Sequence, residues 1–191
     1  MSDTQFIKEK ILNSIIIKQR LYADDESIEV IAKVAQKIAE TLKGEGKILL
    51  CGNGGSASDA LHISAEFVGR FQKERQSLAA LALNADVSAI TAISNDYGYN
   101  KVFSRQVESM MKSQDVLIGI STSGNSENVY QAILEAKKKG ISIALLGNDG
   151  GKIQKIADYS IIVPCNNTAR IQECHIMIGH IICEIVENEL F

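Results

Sequence analysis

The chain has 191 residues, 46% of them hydrophobic and 23% charged, with a net charge of −3. That length supports one domain with a sizeable core, and the composition excludes a wholly disordered chain. The acidic balance argues against a nucleic-acid partner, no apolar run approaches the ~20 residues that span a bilayer, and no signal-peptide arrangement opens the chain, so a cytoplasmic protein without nucleic-acid or membrane partners is expected.

The first predicted helix covers about Thr4–Leu21, with Phe6, Ile7, Ile11, Leu12, Ile15 and Ile16 spaced for one face. The run Ile15-Ile16-Ile17 exceeds what one amphipathic face needs, so this helix is expected to pack on a neighbouring subunit. Asp24 or Asp25 caps a second helix, through Ile28, Ile31, Val34, Ala35, Ile38 and Leu42, that stops at Gly44. Strands and helices then alternate. Strands are predicted at 48–51, 78–83, 116–120, 141–146 and 160–163. Helices are predicted at 56–71, 87–94, 102–111, 127–139, 152–157 and 168–190. Strands that are apolar throughout, joined by crossover helices, indicate a parallel sheet covered on both faces. The expected fold is α/β, a three-layer α/β/α sandwich on a five-stranded parallel sheet, with a helical extension at residues 1–44. The four cysteines, Cys51, Cys165, Cys174 and Cys183, lack CxxC spacing and read as reduced, mostly buried thiols.

Ligands of open parallel sheets sit beyond the carboxyl ends of the strands. Two strand exits carry turns suited to an anion, Gly52-Asn-Gly-Gly-Ser-Ala-Ser58 and Ser121-Thr-Ser-Gly-Asn-Ser126. Each opens a helix, where backbone N–H groups and hydroxyls can cradle phosphate oxygens. One such turn caps helices anywhere; two at adjacent strand exits point to a phosphate. A third, Gly147-Asn-Asp-Gly-Gly151, has fewer hydroxyls and reads as a plain turn. No Gly-Lys-Ser/Thr follows these turns, which excludes a Walker P-loop. Gly52-x-Gly54-x-x-Ala57 fits the loose dinucleotide pattern, but the next strand ends in Asn84 without the expected carboxylate.

Three residues past Asp59, the helix after the first turn presents His62 and then Glu66, one helical turn apart and on one face. An imidazole and a carboxylate beside a phosphate cradle suit general acid/base work or metal ligation. The other two histidines, His175 and His180, lie with Gln172 on the last helix. Gln172 and His180 are about 12 Å apart along a straight helix and ~80° around it. They could share a metal only by leaning together, or with Gln172 at or before the helix start, or with two subunits combining.

These motifs, with Asn95-Asp96 and Arg170-Ile-Gln-Glu-x-His175 followed by His180, resemble the sugar isomerase (SIS) domain and, within it, the phosphoheptose isomerases. The resemblance covers nearly the whole chain. It implies a flavodoxin-like sandwich and a homotetramer with sites near subunit interfaces. The implied activity is conversion of sedoheptulose 7-phosphate to D-glycero-D-manno-heptose 7-phosphate, the first step toward ADP-heptose for lipopolysaccharide core or other surface glycans. It further implies one zinc per subunit on His62, Glu66, Gln172 and His180, with Glu66 as base and His180 as acid. Sugar phosphate contacts fall on Asn53, Gly54, Gly55, Ser56, Glu66, Arg70, Asn95, Asp96, Ser121, Thr122, Ser123, Ser126 and Gln172. Ala169 departs from an aspartate found near the site in some members. The rival reading is a non-catalytic tetrameric SIS regulator, which binds sugar phosphate or a replication-initiation protein. Such regulators keep the turns but lack the glutamate after His-x-x-x, so Glu66 favours the enzyme.

Overall fold

The structure is a computed structural model that describes residues 1–191. Five parallel strands, β1 (Ile48–Gly52), β2 (Ala80–Ala82), β3 (Val116–Ser121), β4 (Ile141–Gly147) and β5 (Tyr159–Val163), form one sheet in the order β2-β1-β3-β4-β5. Eight α-helices accompany them: α1 (Asp3–Tyr22), α2 (Asp25–Lys43), α3 (Gly55–Val68), α4 (Val87–Tyr97), α5 (Ser104–Met110), α6 (Glu127–Ala136), α7 (Gly151–Gln154) and α8 (Thr168–Leu190).

Side chains alternate across a strand, so each strand serves two cores. Ile48, Leu50, Ile118, Ile120, Ile143 and Leu145 face α2, α3 and α8, with Ile17 and Leu21 of α1 at the margin. Leu49, Cys51, Leu117, Ala144 and Leu146 face α5, α6 and α7 on the other side. Every residue of β1 and β3 is buried, as expected for a sheet sandwiched between helical layers. The α/β/α sandwich is therefore as the apolar strand runs foretold. No helix is long and apolar enough to cross a membrane.

Asp24, not Asp25, caps α2, accepting the Ser27 N–H at 3.2 Å. Several boundaries differ from the pattern. α3 ends at Val68 rather than near residue 71, because Gly69 takes the C-cap and the chain then turns across α8. α4 runs to Tyr97, so Asn95 and Asp96 sit in its last turn. α5 is preceded by a 3₁₀ turn at Tyr99–Lys101, and α6 gives way to turns over Lys137–Gly140. α7 is a four-residue helix, and β2 keeps ladder pairing with β1 over three residues only. β2 lies at the edge of the sheet, where a single neighbouring strand enforces its pairing.

Strand order decides where a ligand can sit. β1 pairs with β2 on one side and β3 on the other, so chain direction across the sheet reverses between β1 and β3. Their connections leave toward opposite faces, which opens a crevice at their carboxyl ends. Gly52 at the end of β1 lies in register with Ile120 of β3. The two Gly/Ser turns thus emerge side by side at this switch point.

Candidate active site

Gly54 makes the first turn possible. Its φ of +57° lies in the left-handed region, which L side chains rarely adopt, and α3 starts at the next residue. Four of the longer helices are capped by a side chain, from Ser2, Asp24, Asp86 and Asn167. The N-termini of α3 and α6 have no side-chain cap. Two helix starts without a capping side chain at the N-cap, each a positive dipole end, therefore face the crevice between β1 and β3.

Side chains lock the turns together. Asn53 and Asn128 exchange amide hydrogen bonds at 2.8 Å in each direction, and the Tyr99 hydroxyl donates to Asn53 Oδ1 at 2.9 Å. Asn84 straps the exit of β1, donating to the Gly52 carbonyl at 2.9 Å. In the second turn Ser121 Oγ donates to Ser126 Oγ at 3.0 Å, and Ser123 Oγ accepts the Asn125 N–H at 3.1 Å. The third turn buttresses the second: Ile153 N–H donates to the Gly124 carbonyl at 3.0 Å, and Lys152 N–H to Asn125 Oδ1 at 3.1 Å. Ser56 and Ser121 are buried, whereas Ser123, Asn95 and Asp96 are exposed and Thr122 and Ser126 lie between.

Along α3, Ala60, Ile63, Ser64 and Phe67 face the core, which turns His62 and Glu66 outward together. His62 Nε2 lies 3.0 Å from Glu66 Oε1 and 3.4 Å from His180 Nε2. Ligand atoms of the three residues all fall within 4.8 Å of one another. Helix packing creates the cluster. Gly179 in α8 sits so close to α3 that a Cβ there would lie 2.6 Å from Ile63 Cδ1. Residues 62 and 180 adjoin that contact on the two helices, and their imidazole rings meet edge to face at 5.0 Å.

Two imidazole nitrogens and a carboxylate oxygen form a donor set suited to zinc with an open position. Gln172 lies elsewhere. It sits inside α8 rather than before it, with its amide against Gly55, where a Cβ would come within 2.4 Å of Nε2. That is seven residues ahead of His62 on α3, roughly 10 Å along the helix. Within one chain, then, Gln172 faces the start of α3 while His62, Glu66 and His180 gather two turns on. Arg70 follows α3 in an exposed position and pairs with Glu74 at 3.7 Å. Ala169 occupies the first turn of α8, its N–H bonded to Asn167 Oδ1.

His175 stays apart from the cluster. Five residues separate it from His180, about 140° around a helix, so it points into the core. There its Nε2 bonds the Leu146 carbonyl at 2.9 Å, and burial pushes its pKa down to about 4 although that bond opposes the shift. Asp59 is a neighbour that motif reading passed over. One of its carboxylate oxygens is buried without a partner, and burial pushes its pKa up to about 6 against the opposing influence of His62.

The sequence pattern of the SIS domain matches residues 16–147. The phosphoheptose isomerase of Sulfurimonas denitrificans is 52% identical over 98% of this chain and 96% of its own length. That of Clostridium acetobutylicum is 50% identical over 97% and 95%. The chain belongs to the phosphoheptose isomerases of the SIS domain family. The solved phosphoheptose isomerase of Neisseria gonorrhoeae superimposes with a TM-score of 0.92 at 42% identity, covering 98% of this chain and all of that one.

Within this phosphoheptose isomerase fold, the residues that motif reading overlooked are supports. Asn128 ties the two turns, Tyr99 braces Asn53, and Gly179 brings α8 onto α3. Gly179 carries a signal in the sequence, since glycine inside a long helix costs about 1 kcal/mol relative to alanine and calls for a packing reason. Asn128 and Tyr99 have none, because their partners lie 75 and 46 residues away.

Proposed function

We propose that this chain interconverts sedoheptulose 7-phosphate and D-glycero-D-manno-heptose 7-phosphate, supplying ADP-heptose synthesis for lipopolysaccharide core or surface glycans, as a cytoplasmic homotetramer built from one SIS domain per chain. The observation that carries this reading is the His62–Glu66–His180 cluster at the edge of a crevice flanked by two uncapped helix starts. The turns Asn53–Ser56 and Ser121–Ser126, with Asn95, Asp96, Arg70 and Gln172, bind the sugar phosphate through amides, hydroxyls and side-chain dipoles.

Glu66 removes a proton from C1 of the ketose, and the electron pair of that C–H bond becomes the C1=C2 bond of an enediol. His180 gives a proton to the C2 oxygen as this bond forms. Glu66 then returns its proton to C2, while the C1 hydroxyl yields its proton to His180 and becomes the aldehyde. The sum moves one proton between carbons and one between oxygens, with no external oxidant. A zinc ion, one per subunit, held by His62, Glu66 and His180 of one chain, with Gln172 completing the set from a neighbouring subunit, would stabilise the negative charge that gathers on oxygen.

Exposed apolar side chains support assembly. Phe6, Ile7, Ile11, Leu12 and Ile15 of α1 are each about half exposed, and Leu61, Val68 and Ile181 beside the cluster are exposed as well. An isologous interface would cover both sets and seat the site near a subunit boundary. The test is to incubate metal-analysed protein with sedoheptulose 7-phosphate and follow the sugar by NMR. Appearance of the aldose is expected, and its absence with zinc-loaded protein would leave a sugar phosphate-binding module instead.

A further inference from the structure

A buried ion pair outside the crevice holds the segment that touches the cluster. After α3 ends, residues 69–77 cross the C-terminal half of α8. Glu187 of α8 accepts N–H groups from Phe71 at 3.2 Å, Gln72 at 2.9 Å and Lys73 at 2.8 Å, and the Arg75 guanidinium at 2.9 Å. Both charged side chains are 2% exposed. Burial alone would push the Glu187 carboxyl up, but the three N–H groups and Arg75 outweigh it and hold the pKa below its ordinary value. Arg75 directs its other N–H groups to backbone carbonyls at the end of α3, Glu66 at 2.8 Å and Phe67 at 2.9 Å, and to Gln76 at 3.0 Å.

Phe71 is the first residue so gripped, and its ring stacks on His180, with centroids 5.5 Å apart and planes 23° from parallel. The His62 ring also touches His180, at 74° to its plane and with the two Nε2 atoms 3.4 Å apart. The imidazole of His180 is thus contacted by a stacked aromatic ring and by a second imidazole. One guanidinium–carboxylate unit fixes the backbone of Glu66 on α3 and the backbone of Phe71 against α8.

We propose that Phe71 is a positioning residue of the active site, setting the ring plane of His180, and that Arg75 and Glu187 act by seating Phe71 there. Stability alone is a poor account of such a pair, since apolar replacements of buried ion pairs are often neutral or better. Its placement accounts for it: the pair joins the helix bearing His62 and Glu66 to the helix bearing His180. The broad torsion of an imidazole about its second side-chain bond has no strong preference of its own, so neighbours must choose it. Partners that orient a ligand or acid/base histidine typically carry about 10–100-fold in metal affinity or activity.

This proposal rests on the catalytic reading of His180, and its test separates the two. Phe71→Leu keeps apolar volume and removes the ring; Phe71→Tyr keeps the ring; Arg75→Lys keeps a charge opposite Glu187 but cannot fork to the α3 carbonyls. For each full-length variant, four quantities are read: the NMR shift of the His180 ring protons, zinc affinity by chelator competition, kcat and KM for sedoheptulose 7-phosphate, and the melting temperature. Phe71→Leu is expected to lose the ring-current shift on His180 and to lower kcat and zinc affinity about tenfold or more. KM and melting temperature should stay near wild type, and Phe71→Tyr should restore kcat. Arg75→Lys should reproduce the Phe71→Leu pattern at His180. Phe71→Leu with an unshifted His180 resonance and wild-type zinc affinity and kcat overturns the proposal, whatever Arg75→Lys does to folding. If zinc-loaded wild type leaves the sugar unconverted, the functional reading fails, and the His180 resonance and zinc affinity alone decide the positioning claim.

Discussion

Glu66 is the residue on which the proposed reaction depends most. It lies one helical turn from His62 and has its oxygen 3.0 Å from the imidazole. Glu66→Gln retains the shape and loses the base, so turnover of sedoheptulose 7-phosphate should fall by about 100-fold or more, while circular dichroism stays unchanged. Near-normal turnover would remove Glu66 from the proton-transfer role. His175 governs stability instead of chemistry. Burial lowers its pKa from the ordinary 6.5 to about 4, so the native state resists the proton that the unfolded chain accepts. The stability it contributes is complete above pH 6.5 and declines as pH falls toward 4, by about 3 kcal/mol in all. Urea unfolding across that range should show the slope, and the slope should flatten in His175→Leu. Sequence reading placed His175 and His180 on one helix, and correctly. Which of them joins the site follows from their angular separation and from the position of the sheet beneath.

At the scale of elements, the contact between α3 and α8 creates the candidate metal cluster. Gly179 permits it, since any side chain there meets Ile63. Gly179→Ala should cost about 1–3 kcal/mol of packing, despite the better helix propensity of alanine. It should also separate His180 from His62 and weaken zinc binding in a chelator competition; unaltered zinc affinity would show that the helices reach their spacing by other contacts. The turns were legible because two stretches rich in glycine and serine each follow an apolar strand and open a helix. The ends of α3 and α6 and the extent of β2 were less so. Gly69 closes α3, but the path of the chain beyond it depends on distant partners, such as Glu187 catching residues 71–73, and no local pattern encodes those.

Two expectations belong to the molecule as a whole. A chelator should abolish turnover and added zinc restore it; full activity in metal-free protein would rule out the proposed role of the ion. Replacing Ile11, 56% exposed on α1, with glutamate should convert the proposed homotetramer to smaller species in light scattering without unfolding the chain. A wild-type mass unchanged by Ile11→Glu would move the interface elsewhere. Much was determined by the sequence by itself: apolar strands and amphipathic helices dictate the sandwich, and the spacing of His62 and Glu66 dictates a shared helix face. These are local consequences of the strand and helix repeats. Tertiary structure alone decided that β1 and β3 adjoin at the switch point, that His180 and not His175 reaches His62, and that Gln172 faces Gly55 at the start of α3. Each depends on which elements pack together and how closely, and that is set by the fit of whole faces rather than by the order of residues along the chain.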